Sequence, residues 1–331
     1  APPQWAQVVT SMEKTRLSRC AQLIAEKPVE AKWPRHRQGF RCGPVITRVR
    51  HKTAAAWRPD RDMTPPRIEP QDGVAWVTGA SSGIGAAVAL ELARRGWTVA
   101  ATARRLDKLE ALALSAGGLP GRIVAHVGDV ADPAAMAAVV EGIESVHGPI
   151  ALAFLNAGIA PRNGPGLIDV AAFEQVFAVN LIGVVRGAAA VAERMAARGK
   201  GQIAVNASLA GYRGLPGAAA YGASKAAAIH LCEALRFDCE RHGIRLQLVN
   251  PGFVETPMTK RNSFPMPFMV SLEAAAVRIV EGFTRGGFEI VFPRRLAWLM
   301  KGMRLLPYPA YFWAIRKLAG EHRGGRRDGA V

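Results

Sequence analysis

The stretch from Val74 to Arg95 constrains the fold more than any other part of the chain. Val74-Ala75-Trp76-Val77-Thr78 is an apolar strand, and Ile84 to Arg95 reads as a helix ended by Gly96. Between them lies Thr78-Gly79-Ala80-Ser81-Ser82-Gly83-Ile84-Gly85, with glycines spaced G-x-x-x-G-x-G. Glycine permits a tight turn and close backbone approach to a ligand, while the helix N-terminus offers free N–H groups and a favourable dipole. A small-residue cluster alone reads as a structural turn. A strand before it and a helix after it favour a phosphate-binding turn instead.

Downstream, strand and helix patterns alternate with short breaks, which implies βαβ units and a parallel sheet. Strands are expected at Trp97–Ala103, Ile123–Val127, Ile150–Leu155, Gln202–Val205, Arg245–Val249 and Phe288–Phe292. Helical stretches are expected at Phe173–Arg198, Ala218–His242 and Leu272–Phe283, with a further helix opened by Asp132 as N-cap and Pro133 at the first helical position. The fold class is therefore α/β, a Rossmann-type doubly wound parallel sheet of about seven strands. It forms one domain over residues 73–292, between a poorly ordered basic extension (1–72) and a basic amphipathic one (293–331). The first extension holds a short helical stretch near Ser18–Glu26, and a natural start near Met63 is expected.

Charge narrows the function classes. The net charge is +17, with fourteen cationic against seven acidic side chains in residues 1–72, nineteen against sixteen in 73–284, and ten against three in 285–331. The excess lies at the two ends. The nearly neutral centre has no RNP-type aromatic run or paired Cys/His finger, so nucleic acid is not an expected partner. Cys20, Cys42, Cys232 and Cys239 form no secreted disulfide framework; the last two are seven apart on one helix, roughly 10 Å along its axis. No run of 18 uninterrupted apolar residues occurs, and a cytoplasmic, soluble or membrane-peripheral protein is expected. The histidines form no ligand-spaced pair, so no metal site is expected.

The glycine turn resembles that of the short-chain dehydrogenase/reductase superfamily, and further motifs follow in the same order. The resemblance implies that Gly79, Ser81, Ser82, Gly83, Ile84 and Gly85 hold a nicotinamide dinucleotide. The second strand ends in Ala103-Arg104-Arg105, without the acidic residue that an NAD enzyme uses on the ribose 2′-OH. Two guanidiniums there suit a 2′-phosphate, so NADP(H) is expected in preference to NAD(H), with Arg104 the chief contact and Arg105 secondary. Asp129-Val130 resembles the family's adenine-side pair. Asn156-Ala157-Gly158 resembles its Asn-Ala-Gly element, with Leu155 where a first Asn is usual. Pro251-Gly252, Val254 and Thr256 resemble its nicotinamide-side turn.

Tyr221 and Lys225, at i and i+4, share one helix face. A phenol has an unperturbed pKa near 10, and a neighbouring ammonium lowers it, which would make Tyr221 a general acid or base. Ser208, thirteen residues upstream at a strand tip, can donate to a substrate oxygen. Asn180, mid-helix, completes the family's Asn-Ser-Tyr-Lys set, and a kink there would hold a proton-relaying water. Residues 258–270 and 209–215 are apolar, aromatic or Met-rich, which favours a hydrophobic carbonyl or alcohol substrate. The resemblance also implies a homodimer or homotetramer.

Residues 294–318 repeat Leu296, Leu299, Met300, Met303 and Leu306 at helical spacing, with Lys301 and Arg304 on the opposite arc. Trp298, Tyr308, Tyr311, Phe312 and Trp313 add aromatic character, and Pro307 and Pro309 interrupt the pattern. The segment reads either as an amphipathic helix on an anionic membrane or as a cap over the cleft or a subunit interface. Arg323–Arg327 reads as a solvated tail.

Overall fold

The computed structural model describes residues 65–161, 168–261 and 266–318. The N-terminal helical stretch, Cys20 and Cys42, the Phe264-Pro265 part of the substrate loop and the Arg323–Arg327 tail lie outside the described residues. The chain divides at Pro59, and the unit from Asp60 to Val331 holds every element below.

Seven strands form one parallel sheet: β1 (Val74–Thr78), β2 (Thr98–Ala103), β3 (Arg122–Val127), β4 (Ile150–Leu155), β5 (Gly201–Asn206), β6 (Ile244–Pro251) and β7 (Glu289–Phe292). Their spatial order is β3-β2-β1-β4-β5-β6-β7, so the winding direction reverses between β1 and β4. In open α/β sheets this reversal leaves a crevice at the carboxyl ends of the strands, where ligands bind. Strands β1, β4 and β5 are buried along their whole length, as a sheet covered on both faces requires.

Helices α1 (Gly83–Arg94), α2 (Leu106–Ser115) and a later helix, Leu272–Arg285, cover one face through Val88, Leu92, Leu109, Leu112, Ile279 and Phe283. The opposite face is covered by α3 (Ala135–His147) and then by a continuous 29-residue helix, Val170–Arg198. That helix comprises α4 (Val170–Phe177), a π-helical segment (Ala178–Ile182) and α5 (Gly183–Arg198). After it come α6 (Ala219–Arg241), α7 (the Leu272–Arg285 helix above), α8 (Arg294–Arg304) and α9 (Tyr308–Leu318). By average hydropathy the 29-residue helix is long and apolar enough to cross a membrane, which a scan for uninterrupted runs misses. Its inner stripe of Val184, Val191 and Met195 belongs instead to the core under the sheet.

Three local readings change. Helix α2 is absent from the sequence expectation, although Leu109 and Leu112 are its buried stripe. Helix α3 begins at Ala135, because the Asp132 carboxylate accepts from the Ala134 N–H in a turn of its own instead of capping the helix. Residues 65–72 also pack on the unit: Ile68 is buried, and Asp72 pairs with Lys200 at 2.7 Å. The compact unit thus extends on both sides of residues 73–292.

Candidate active site

At the β1/β4 reversal lies a cleft of about 500 Å³. Its floor is the glycine turn. Gly79 and Gly83 adopt φ of +68° and +57°, where a side chain is strained. A Cβ on Gly79 would lie 2.7 Å from Ala157 Cα, so backbone packs directly on backbone there. The turn is tied to β2 by the Ala80 N–H donating to Thr102 O, and Ser82 precedes α1 without capping it.

A latch that the sequence reading did not assign joins three strand ends. Thr78 Oγ1 accepts from the N–H groups of Asn156 (3.0 Å) and Ala157 (3.2 Å). Asn156 Nδ2 donates to Thr78 O, and Asn156 Oδ1 accepts from Asn206 Nδ2 at 2.8 Å. Asn156 thus braces the cleft, and with a single Asn before Ala157-Gly158 the latch is already complete.

On the adenine side, Arg104 and Arg105 both border the cleft. Arg104 Nη1 lies 3.9 Å from an Asp129 carboxylate oxygen, whereas Arg105 Nη2 donates to Ser81 Oγ at 3.1 Å. The secondary arginine of the sequence reading is therefore the one attached to the glycine turn. Asp129 Oδ1 accepts from the Ala131 N–H, so this carboxylate shapes its own loop as well as facing the cleft, and Val130 packs against Gly183.

Ser208, Tyr221 and Lys225 converge on the other side of the same cleft. Ser208 follows β5 and caps the short turn Leu209–Gly211, accepting from the Ala210 N–H at 3.1 Å. It also hydrogen-bonds the Tyr221 hydroxyl. On α6, Lys225 Nζ lies 5.7 Å from the Tyr221 ring centroid and donates to Asn206 O at 2.7 Å. Desolvation lowers the Lys225 ammonium to about 8. The expected fall of the Tyr221 pKa is reversed: desolvation around the phenol raises it, and the Ser208 hydrogen bond opposes this only in part.

Asn180 is fully buried in the π segment. Its amide oxygen accepts from the Ile159 N–H, and Nδ2 donates to Ile159 O (2.9 Å) and Ser224 Oγ (3.1 Å). Gly158 lies between Asn180 and Lys225, since a Cβ there would be 3.4 Å from Asn180 Oδ1 and 3.5 Å from Lys225 Nζ. Where the sequence predicts a kink at Asn180 the helix carries a π-helical segment, and one side chain in it holds the 159 loop and α6 together.

Pro251, Gly252, Val254 and Thr256 complete the wall, with Thr256 facing Gly83. Ile159, Gln175, Val179, Met258 and Thr259 also border the cleft; of the cleft's described lining, only Met258 and Thr259 fall in the loops expected to choose substrate. Leu209 and Tyr212 from those loops are buried in the body of the domain. The cradle fits a dinucleotide: glycine backbone lies where a Cβ cannot, a helix N-terminus and two guanidiniums border it, and the buried Asn206 Oδ1 has no partner among the described residues.

An open parallel sheet with a glycine cradle and a Ser-Tyr-Lys cluster at its reversal point defines a dinucleotide-dependent oxidoreductase class. Residues 73–265 match the family described as short chain dehydrogenase. An uncharacterized oxidoreductase of Myxococcus xanthus is 36% identical over 244 residues, which cover 74% of this chain and 96% of that protein. A short-chain dehydrogenase from Sphingobium yanoikuyae, solved in complex with NADPH, is 28% identical with a TM-score of 0.62, covering 78% of this chain and 98% of that one. A Burkholderia phymatum short-chain dehydrogenase/reductase, in complex with NAD, shares the fold at 23% identity and a TM-score of 0.63, covering 69% and 92%. The chain belongs to the short-chain dehydrogenase/reductase family of enzymes.

Proposed function

We propose that the protein is an NADP(H)-dependent oxidoreductase that interconverts a hydrophobic ketone or aldehyde and its alcohol. The observation that carries this reading is that Ser208, Tyr221 and Lys225 share one cleft with the glycine cradle and with Arg104 and Arg105. The NADPH complex of the Sphingobium relative agrees with it. So does the apolar lining by Ile159, Val179 and Met258.

A bound nicotinamide dinucleotide would supply or accept the hydride. Ser208, oriented by the Ala210 N–H, donates toward the substrate oxygen and steadies charge that develops there. Tyr221, whose raised pKa keeps it protonated at neutral pH, gives its proton to that oxygen in the reducing direction. In the oxidising direction it must lose that proton, and the Lys225 ammonium beside its ring then stabilises the phenolate. Asn180 positions Ile159 at the cleft wall and Ser224 on α6, one residue before Lys225.

The test is a fluorescence titration with NADPH and NADH side by side, on the wild type, Arg104→Ala and Tyr221→Phe. The wild type binds NADPH more tightly. Loss of a charged hydrogen bond to the 2′-phosphate in Arg104→Ala weakens NADPH by about ten- to a hundredfold and NADH little. Equal losses for both would remove Arg104 from the 2′-phosphate. Tyr221→Phe binds NADPH normally and turns over no apolar ketone; an active variant overturns the proton-transfer role.

A further inference from the structure

We propose that the outward face of α8 and α9 docks on an anionic lipid surface. The inward face of the pair is already occupied: Leu296, Met300, Met303, Tyr311 and Ile315 are buried in the core. Of the amphipathic stripe seen in the sequence, Leu296, Met300, Met303 and Leu306 are therefore the domain's own contact, while Leu299 is left outside. The side chains left outside are also apolar, with Trp298, Leu305, Tyr308 and Trp313 exposed by 73%, 86%, 70% and 61%. Trp298 and Leu305, seven residues apart, lie along one side of the chain as it leaves α8. On α9, Tyr308 and Phe312 stack at 5.8 Å.

The charge on this segment selects the partner. Residues 294–318 carry six cations and no acidic residue. Lys301 pairs with Glu289, but among the described residues no ion pair engages Arg294, Arg295, Arg304, Arg316 or Lys317. A two-fold contact between copies through this face would set one cationic segment, without acidic residues of its own, against another, which opposes association. An anionic bilayer meets both features at once. Trp and Tyr rings settle at the headgroup level, cations meet lipid phosphates, and Lys317 Nζ already lies 4.8 Å over the Trp313 ring. Each helix has eleven residues, too few to span a bilayer, so the pair lies in the interface plane.

The test is co-sedimentation of the full chain with vesicles of phosphatidylcholine alone and of phosphatidylcholine mixed equally with phosphatidylglycerol. Binding is expected to the mixed vesicles, falling as salt rises, and little binding to phosphatidylcholine alone. Trp298→Ser/Trp313→Ser and Arg316→Glu/Lys317→Glu each weaken binding by roughly tenfold or more. Their melting curves and NADPH titrations should match the wild type, which separates a lost surface from a lost fold. No binding to mixed vesicles at low salt overturns the proposal, as does wild-type binding by both variants. An oligomer in light scattering that the Trp298→Ser/Trp313→Ser variant dissociates also overturns it, because a second copy would then cover the face.

Discussion

Lys225 is 3% exposed, and desolvation brings its ammonium from 10.5 to about 8. At about 1.4 kcal/mol per unit, the folded state bears roughly 3 kcal/mol for keeping this group charged. Below pH 8 the lysine is protonated both folded and unfolded, and the penalty is constant. Between pH 8 and 10.5 the unfolded chain holds the proton that the folded chain has lost, so this group's contribution to stability rises with pH. On the proposed mechanism activity is expected to follow the opposite course, with kcat/KM falling as pH rises through about 8 and the cation disappears; a flat profile to pH 9.5 would contradict the assignment. Lys225→Met is expected to lose turnover yet to unfold at pH 7 within about 2 kcal/mol of the wild type, because relief of the charge offsets the freed Asn206 carbonyl. Urea denaturation measures this, and a larger loss would mean that the ammonium stabilises the fold. Tyr221, Lys225 and Ser208 were legible in the sequence because chemically distinctive side chains sit at a helical spacing and a strand tip. The Thr78, Asn156 and Asn206 latch was not, since its hydrogen bonds join residues 78 and 50 positions apart that carry no local pattern.

Elements were legible where local and tertiary demands agree. Strands β1 and β4 fall at their expected bounds because apolar runs of strand length are needed in a sheet covered on both sides. Helix α3 starts late because Asp132 has a competing local use, the turn to Ala134. The junction between the loop after Ser208 and the C-terminal helices was beyond reading, since it is made of side chains meeting carbonyls about ninety residues away. Arg213 Nη1 donates to the carbonyl oxygens of Met303, Arg304 (3.0 Å) and Leu306 (2.8 Å), satisfying backbone acceptors at the end of α8. Its guanidinium lies 4.0 Å from the Tyr311 ring centroid, and the Tyr311 hydroxyl donates to Gly214 O. Beside this, the Glu289 carboxylate accepts from Tyr212, Asn250 and Lys301, and despite its burial those donors hold it below the usual carboxylate range. Arg213→Ala removes charge-assisted bonds of about 1.5–3 kcal/mol. Amide exchange in residues 209–215 and 294–318 should then quicken by roughly ten- to a hundredfold while β4 and β5 stay protected. Unchanged exchange in both segments would mean that hydrophobic packing alone holds the pair.

Over the whole molecule, contact with the core matters more than family resemblance in deciding which parts of the chain the fold needs. The family match ends at residue 265, yet Leu296, Met300, Met303, Tyr311 and Ile315 belong to the same core as Trp76, Leu155 and Val205. Five such side chains, at about 1.5–3 kcal/mol each, contribute on the order of 10 kcal/mol, comparable with the whole stability of an ordinary domain. A chain ending at Phe292 would expose the apolar floor beneath α8 and α9 and leave Glu289 without Lys301. The N-terminal side is different, because the division falls at Pro59 and among the described residues the core begins with Ile68. Residues 60–331 should therefore fold as a unit, with a cooperative melt and an NADPH titration matching those of the full chain, whereas residues 60–292 should be insoluble or melt without cooperativity. Calorimetry on the two truncations decides it. A cooperative melt for residues 60–292 would make α8 and α9 a dispensable attachment, and failure of residues 60–331 to fold would place part of the required core before Asp60.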